Sequence, residues 1–119
     1  DFFYNSAIEL KTNLSPYDLF YALQMIEKQL QKNKLIINGP RRIDLDIIFY
    51  NRLILTSNKL TIPHKAAHLR DFVLLPLIEM NPFYMHPMKR ETLRSIYKKL
   101  KEKYVFKIKQ RLKESLIVY

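Results

Sequence analysis

The sequence predicts one domain, residues 1–119, that combines helices with strands in an α+β fold. Three observations predict it: apolar and polar residues alternate over 43–50, and helical patterns cover 15–31 and 91–103. Alternation with period two is typical of strands, and apolar residues three and four apart are typical of helices. A chain of 119 residues is long enough for one domain with a modest core.

The central strand is predicted from the stretch 38–50, which reads NGPRRIDLDIIFY. Residues two apart in a strand share a face, so Asp44 and Asp46 are expected side by side, roughly 7 Å apart. Two carboxylates so close repel each other unless they are solvated or hold a cation. Mg²⁺ takes few protein carboxylates and keeps positions for substrate phosphates. A charged outer face of an edge strand is the alternative interpretation of this pair.

The first helix, over 15–31, has clear local signals. Ser15 is a good N-cap, Pro16 fits the first helical position, and Asp18 lies in the first turn. Its expected apolar stripe consists of Leu19, Ala22, Leu23, Ile26 and Leu30.

The remaining elements have weaker patterns. We expect a strand over 2–12, a short strand over 53–55, and a polar connection over 57–61 that ends at residues 62–64, where proline cannot continue a ladder. A helix is expected over 72–80, interrupted by Pro76. Residues 104–119 suit either a strand or a helix.

Composition restricts the kinds of function. The net charge of +10 favours anionic partners, although a lysine-rich solvated surface explains many of these charges. Gly39 is the only glycine, which excludes glycine-rich phosphate loops. His64 and His68 have a spacing that could seat zinc on a helix, but the sequence offers no third ligand nearby, so two surface histidines are favoured.

No cysteine is present, which excludes disulfides and thiolate metal sites. No apolar run approaches the roughly 20 residues needed to span a bilayer, and no signal peptide is visible. We expect a cytoplasmic monomer without a nucleic-acid or membrane partner.

Two stretches are distinctive together. The first is Gly-Pro-Arg-x-x-Asp-Leu-Asp-Ile-Ile over 39–48, and the second is LTIPH over 60–64, which is followed by Arg70 and Phe72. This combination resembles the 6-hydroxymethyl-7,8-dihydropterin pyrophosphokinases over about residues 1–100. The resemblance implies transfer of pyrophosphate from ATP to the hydroxymethyl group of a reduced pterin, giving AMP, in folate biosynthesis. It also implies a ferredoxin-like α/β sandwich, a mainly antiparallel sheet with helices packed on one side.

The resemblance further implies roles for individual residues. Asp44 and Asp46 would bind two Mg²⁺ ions, and Arg41 and His64 would join them as catalytic residues at the ATP phosphates. The implied ATP-binding residues are Gln24, Glu27, Ile47, Lys59, Leu60, Thr61, His64 and Arg70. The implied pterin residues are Phe3, Asn5 and Phe72, with Asn5 reading the ring edge and Phe72 stacking on the ring.

The sequence departs from the family in three places, one of which is Lys65, where the family often has a tyrosine. The loop over 31–38 reads QKNKLIIN, so only Lys32 and Lys34 could take the roles of the family's arginines. The family's opening strand, Gly-Ser-Asn turn, helix and next strand have no counterpart. We therefore expect that an N-terminal part is missing from these 119 residues, and that this chain alone binds ATP poorly and is inactive.

Two other classes of protein are alternatives. A metal-dependent phosphoesterase or nuclease would use the aspartate pair, but Glu79 or Glu91 would then have to reach it. A basic nucleic-acid-binding module would need aromatic residues on the exposed sheet face. That face carries Asp44 and Asp46, which repel phosphate unless a metal is bound.

Overall fold

A computed structural model describes residues 5–32 and 44–100. The described elements, in chain order, are α1 (Pro16–Lys32), β1 (Leu55–Thr56), β2 (Thr61–Ile62), a 3₁₀ helix (Ala67–Leu69), α2 (Asp71–Met80) and α3 (Leu93–Lys98). This mixture of helices and an antiparallel sheet agrees with the predicted α+β class. No helix in these two ranges has both the length and the apolar character needed to cross a bilayer.

The described residues belong to two compact units. The hairpin unit contains 11–32 and 44–64, and therefore α1, β1 and β2. The helical unit contains 5–10 and 65–100, and therefore the 3₁₀ helix, α2 and α3.

Helix α1 begins where its local signals place it. The Ser15 hydroxyl accepts the backbone N–H of Asp18 at 3.2 Å, and the Ser15 carbonyl accepts the N–H of Leu19 at 2.8 Å. These bonds satisfy donors that the first turn would otherwise leave without partners. The expected stripe is wrong at Ile26, which is 44% exposed. The side of α1 that carries Glu27 faces residue 45. Ile26 lies about 100° around the helix axis from Glu27 and is therefore on a different side of the helix.

The predicted strand over 43–50 is wrong for its described residues 44–50, which have no strand assignment. A strand is defined by a ladder of backbone bonds, and the bond from the His64 N–H to the Ile48 carbonyl, 2.9 Å, does not make a ladder. The alternation itself persists over 44–47: Asp44 and Asp46 are exposed, and the two residues that follow them are half-buried.

A two-stranded hairpin follows this segment. β1 and β2 are antiparallel, with Leu55 opposite Ile62 and Thr56 opposite Thr61. The short strand predicted over 53–55 is therefore real but shifted along the chain, and Thr61 belongs to a strand rather than to a connection. Pro63 follows the last residue of β2, as expected for a residue that cannot donate to a ladder.

Helix α2 runs through Pro76 without a break, so the predicted interruption is wrong. A proline inside a helix costs about 3 kcal/mol. Leu74 and Leu75 are 0% and 7% exposed, and burial of each leucine is worth about 1.5–3 kcal/mol. The burial next to the proline is therefore large enough to offset its cost.

Helix α3 is shorter than the predicted helix over 91–103. Thr92 is its N-cap, and its hydroxyl accepts the N–H of Ser95 at 3.1 Å. The backbone of Thr92 is extended, with φ −69° and ψ 154°, so residue 91 precedes the helix. Its carbonyl accepts the N–H of His86 at 2.9 Å instead. The helix ends at Lys98, and residues 101–103 lie outside the described part of the chain.

The predicted strand over 2–12 is wrong for the described residues 5–12, which have no regular structure. Ile8 and Leu10 are 68% and 54% exposed there, so hydrophobic burial does not fix this segment. Residues 104–119 lie outside the described part.

Candidate active site

The aspartate pair is exposed on the hairpin unit. Asp44 and Asp46 lie on either side of the half-buried Leu45. Their carboxylate oxygens suit a hard cation such as Mg²⁺, which takes one or two protein carboxylates and shares its other positions with phosphates. In residues 5–32 and 44–100, no group of three or more His, Asp or Glu side chains could hold a metal. A site at Asp44 and Asp46 would therefore offer Mg²⁺ two carboxylates from the described residues, a number that suits this ion.

Helix α1 holds the aspartate segment at one point through Glu27. The Glu27 Oε2 atom accepts the backbone N–H of Leu45 at 2.7 Å, midway between the two aspartates. Glu27 was expected to contact ATP, but this carboxylate oxygen is directed at the backbone. Gln24, one helical turn earlier, is exposed.

A second bond holds the other end of the same segment. The Tyr50 hydroxyl donates to the Leu14 carbonyl, just before α1, at 2.6 Å. Residue 45 is thus bonded to Glu27 within α1, and residue 50 is bonded to Leu14 just before α1 begins. The segment 44–50 therefore runs in the direction opposite to α1.

His64 joins this arrangement through its backbone. Its N–H donates to the carbonyl of Ile48, two residues after Asp46, at 2.9 Å. Its side chain is half-buried, as is that of Ile47. The structure thus brings His64 to the segment that carries the aspartates.

Lys59 lies against helix α1. Its Nζ donates to the Tyr21 hydroxyl at 3.3 Å and lies 5.8 Å from the centre of the Tyr21 ring, within the range of a cation–π contact. Sequence reasoning missed Tyr21 as a partner of Lys59. The one available signal was its position three residues before Gln24, which places both on the same side of the helix.

The neighbouring hairpin residues differ in exposure. Leu60 is only 7% exposed, so it belongs to the core and could meet a ligand mainly through its backbone. Thr61 is half-buried, and its hydroxyl donates to the Ser57 carbonyl at 3.5 Å. The Ser57 hydroxyl donates to the Leu60 carbonyl at 2.9 Å and accepts the Leu60 N–H at 3.1 Å, which fixes the turn.

Three further candidates lie in the helical unit. The guanidinium carbon of the exposed Arg70 is 5.8 Å from the ring centre of Phe72, which is half-buried at the start of α2. This contact joins a residue expected to bind ATP with one expected to bind the pterin. Asn5 is exposed. The remaining two candidates, Arg41 and Phe3, lie outside the described residues.

A histidine pair in the helical unit was not predicted. His86 is 2% exposed, and its ring meets that of His68 edge-on at 5.8 Å. Its Nδ1 accepts the N–H groups of Met88 and Lys89 at 3.2 and 3.1 Å, so the neutral ring carries its proton on Nε2. His86 thus holds the turn at 86–89, and its one sequence signal is a histidine within an apolar stretch.

Burial and nearby positive charge act on this pair. Burial lowers the pKa of His86, as do His68 and Lys89. Burial and then Lys89 lower the pKa of His68. Residues 64–68 do not form an α-helix, so the spacing argument for zinc does not apply to them.

The hairpin unit carries an exposed carboxylate pair, a histidine bonded through its backbone to the same segment, and an exposed lysine held at α1. These are the residue types of a site where a divalent cation helps to bind a phosphorylated ligand. Residues 1–82 match the family model described as 7,8-dihydro-6-hydroxymethylpterin-pyrophosphokinase (HPPK). The chain belongs to this family, which confirms the resemblance found in the sequence.

Three curated relatives illustrate the similarity. The chain is 43% identical to the folic acid synthesis protein fol1 of Pneumocystis carinii over 82% of its own length and 13% of the relative. It is 34% identical to the 2-amino-4-hydroxy-6-hydroxymethyldihydropteridine pyrophosphokinase of Aquifex aeolicus over 77% of the chain and 58% of that protein. It is 41% identical to the protein of the same name from Bacillus subtilis over 66% of the chain and 47% of that protein.

The chain thus spans about half the length of the last two relatives and much less of the first. These comparisons favour neither the phosphoesterase or nuclease nor the nucleic-acid-binding module.

Proposed function

We propose that the protein transfers pyrophosphate from ATP to the hydroxymethyl group of 6-hydroxymethyl-7,8-dihydropterin, in folate biosynthesis. The observation that carries this proposal is the exposed pair Asp44 and Asp46 within the residues that match the family. The pterin oxygen forms a bond to the β-phosphorus of ATP, the bond from that phosphorus to the α-phosphate oxygen breaks, and AMP leaves.

The proposed metal ligands are Asp44 and Asp46, which would hold two Mg²⁺ ions. When bound, these ions would neutralise the charge that develops on the phosphate oxygens. Both side chains are exposed and have only oxygen donors, which supports this assignment.

The proposed phosphate contacts are Arg41, His64 and Arg70. Cationic side chains that donate hydrogen bonds can take the place of a glycine-rich loop, and Gly39 is the only glycine of the chain. The bond from His64 to the Ile48 carbonyl supports its placement beside the metal ligands.

The proposed adenosine contacts lie on the hairpin unit and comprise Gln24, Ile47, Lys59, Leu60 and Thr61. Tyr21 supports Lys59 by holding its ammonium group at one place on α1. The buried Leu60 would contribute through its backbone.

The proposed pterin contacts are Phe3, Asn5 and Phe72. Asn5 would form hydrogen bonds with the ring edge, which give selectivity because a wrong ligand leaves buried polar groups unpaired. Phe72 would stack on the ring, and the contact of Arg70 with Phe72 supports a shared location for the two substrates.

We propose further that residues 1–119 are part of one ferredoxin-like α/β sandwich. The described helices and antiparallel hairpin are compatible with it. The protein would act as a cytoplasmic monomer on ATP and a pterin, without a nucleic-acid or membrane partner.

Calorimetry with a non-hydrolysable ATP analogue tests the proposal. We expect residues 1–119 alone to bind the analogue weakly and only when Mg²⁺ is present, and to bind the pterin hardly at all. Equal binding of the analogue with and without Mg²⁺ would contradict it.

A further inference from the structure

We propose that Glu27 is a positioning residue for the aspartate pair, and that it acts through the backbone N–H of Leu45. The proposal rests on the proposed function for the use of Asp44 and Asp46. It replaces the expected contact between Glu27 and ATP by an indirect role.

The contact between Glu27 and Leu45 is short and charge-assisted. The distance from Leu45 N to Glu27 Oε2 is 2.7 Å, at the short end for an N–H donor and typical of a carboxylate acceptor. Glu27 is half-buried, which strengthens such a bond relative to one in water. The donor lies between the two aspartates, so the bond restrains both of them.

The aspartates need such a restraint. Residues 44–50 have no strand ladder to fix them. The other contacts of this segment include those at Ile48, Phe49 and Tyr50, which lie two to four residues beyond Asp46. The bond to Glu27 is the one directly between the aspartates. Without a cation, the two like charges repel each other and tend to separate.

A role for Glu27 as a third metal ligand fits the structure less well. In residues 5–32 and 44–100, no three acidic or histidine side chains form a possible metal site. Since Oε2 of Glu27 accepts a backbone N–H, length and an acceptor atom are what the position requires. Gln keeps both, whereas Asp keeps the charge but loses about 1.5 Å of reach.

The test uses four variants of the chain, labelled with ¹⁵N: Glu27→Gln, Glu27→Asp, Glu27→Ala and, as a matched control, Lys28→Ala. Lys28 is the exposed neighbour of Glu27 on the same helix. Mn²⁺ alone is titrated as the probe, and broadening of the amide signals of Asp44, Leu45 and Asp46 gives the metal affinity. Hydrogen exchange of the Leu45 amide reports the bond directly.

We expect Glu27→Ala and Glu27→Asp to weaken Mn²⁺ binding by about tenfold or more and to speed exchange at Leu45. Glu27→Gln should stay within about threefold of the parent, because it can still accept the bond. Lys28→Ala should match the parent in both measurements. If Glu27→Ala does not fold, as judged by circular dichroism, the comparison of Glu27→Gln with Glu27→Asp tests the proposal.

Three results would overturn the proposal. Glu27→Gln as weak as Glu27→Asp or weaker would mean that the negative charge of Glu27 is required, which a role as acceptor of the Leu45 N–H alone does not explain. Fast exchange at Leu45 with unchanged Mn²⁺ affinity in Glu27→Asp would mean that the bond does not position the aspartates. No broadening at Asp44 to Asp46 in the parent would mean that no metal pair exists. Broadening as expected, but no Mg²⁺-dependent binding of the ATP analogue, would overturn the proposed function alone.

Discussion

The segment 44–50 and helix α2 are both rich in apolar residues, yet they are held in different ways. In α2, Leu74 is fully buried and Leu75 nearly so. In 44–50 no side chain is fully buried, and the bonds that hold the segment include those to Glu27, to the Leu14 carbonyl and to the His64 N–H. Packing therefore stabilises α2, whereas a few polar contacts position the candidate site.

This difference has a chemical reason. Metal ligands and phosphate contacts must remain accessible, so they cannot be fixed by burial. Hydrogen bonds from neighbouring elements can hold a backbone while its side chains remain exposed. Substitutions at the two regions should therefore separate binding from stability.

The largest expected effect on binding is that of Asp46→Ala. We expect loss of Mg²⁺-dependent binding of an ATP analogue, because one of two proposed ligands is removed. The melting temperature should hardly change, because exposed surface substitutions usually alter stability by less than about 0.5 kcal/mol. Calorimetry and thermal melting measure the two quantities. If the binding of the analogue still depended on Mg²⁺ to the same extent, Asp46 would not be a metal ligand.

The largest expected effect on stability is that of Leu74→Ala in α2. Removal of a fully buried leucine side chain should lower the free energy of unfolding by about 2–5 kcal/mol. Met80→Ala, at an exposed position at the end of the same helix, serves as the control and should cost far less. Denaturant unfolding followed by circular dichroism tests this. Equal effects of the two substitutions would mean that α2 is not held by packing.

Arg70→Ala should have an intermediate effect. If Arg70 contacts the phosphates, the substitution should lower the affinity for ATP by about 10- to 100-fold, the range expected for a hydrogen bond to a charged group. The affinity for adenosine should hardly change. Arg94→Ala, an exposed arginine on α3, is the control. Parallel titrations with ATP and adenosine make the comparison. An equal loss for both ligands would assign Arg70 to the base or to Phe72.

The smallest expected effect concerns pH. The pKa of His86 and that of His68 are lowered from the ordinary value of 6.5, so the unfolded chain binds more protons than the folded one just below pH 6.5. Their contribution to stability is present above about pH 6.5 and is lost as the pH falls through the folded-state pKa values. Thermal melting between about pH 7 and pH 5 should show this loss.

His86→Asn is the matched variant for the pH prediction. Asn keeps an acceptor for the backbone N–H groups of Met88 and Lys89 but does not titrate. Its melting temperature should fall less on acidification than that of the parent. An equal fall of the melting temperature in both proteins would mean that groups other than His86 cause the pH dependence.

The sequence by itself determined the features that depend on neighbours in the chain. Ser15 and Pro16 start α1 through bonds within four residues, and Pro63 ends β2 because it has no N–H. The alternation over 44–47 correctly gave exposed aspartates. The motif around them correctly indicated the family, because a specific string of residues reflects ancestry independently of its folded partners.

Only the tertiary structure decided the features that depend on distant partners. Residues 44–50 match a strand pattern, but a ladder requires a second strand, and the pattern of one segment carries no information about its partner. The bond between Glu27 and the backbone of Leu45, 18 residues away, exists only in the folded chain, and no local pattern of either segment predicts it. The same holds for Tyr21 with Lys59 and for the burial of His86. Local capping is fixed by adjacent atoms, whereas these contacts exist only once the path of the whole chain is set.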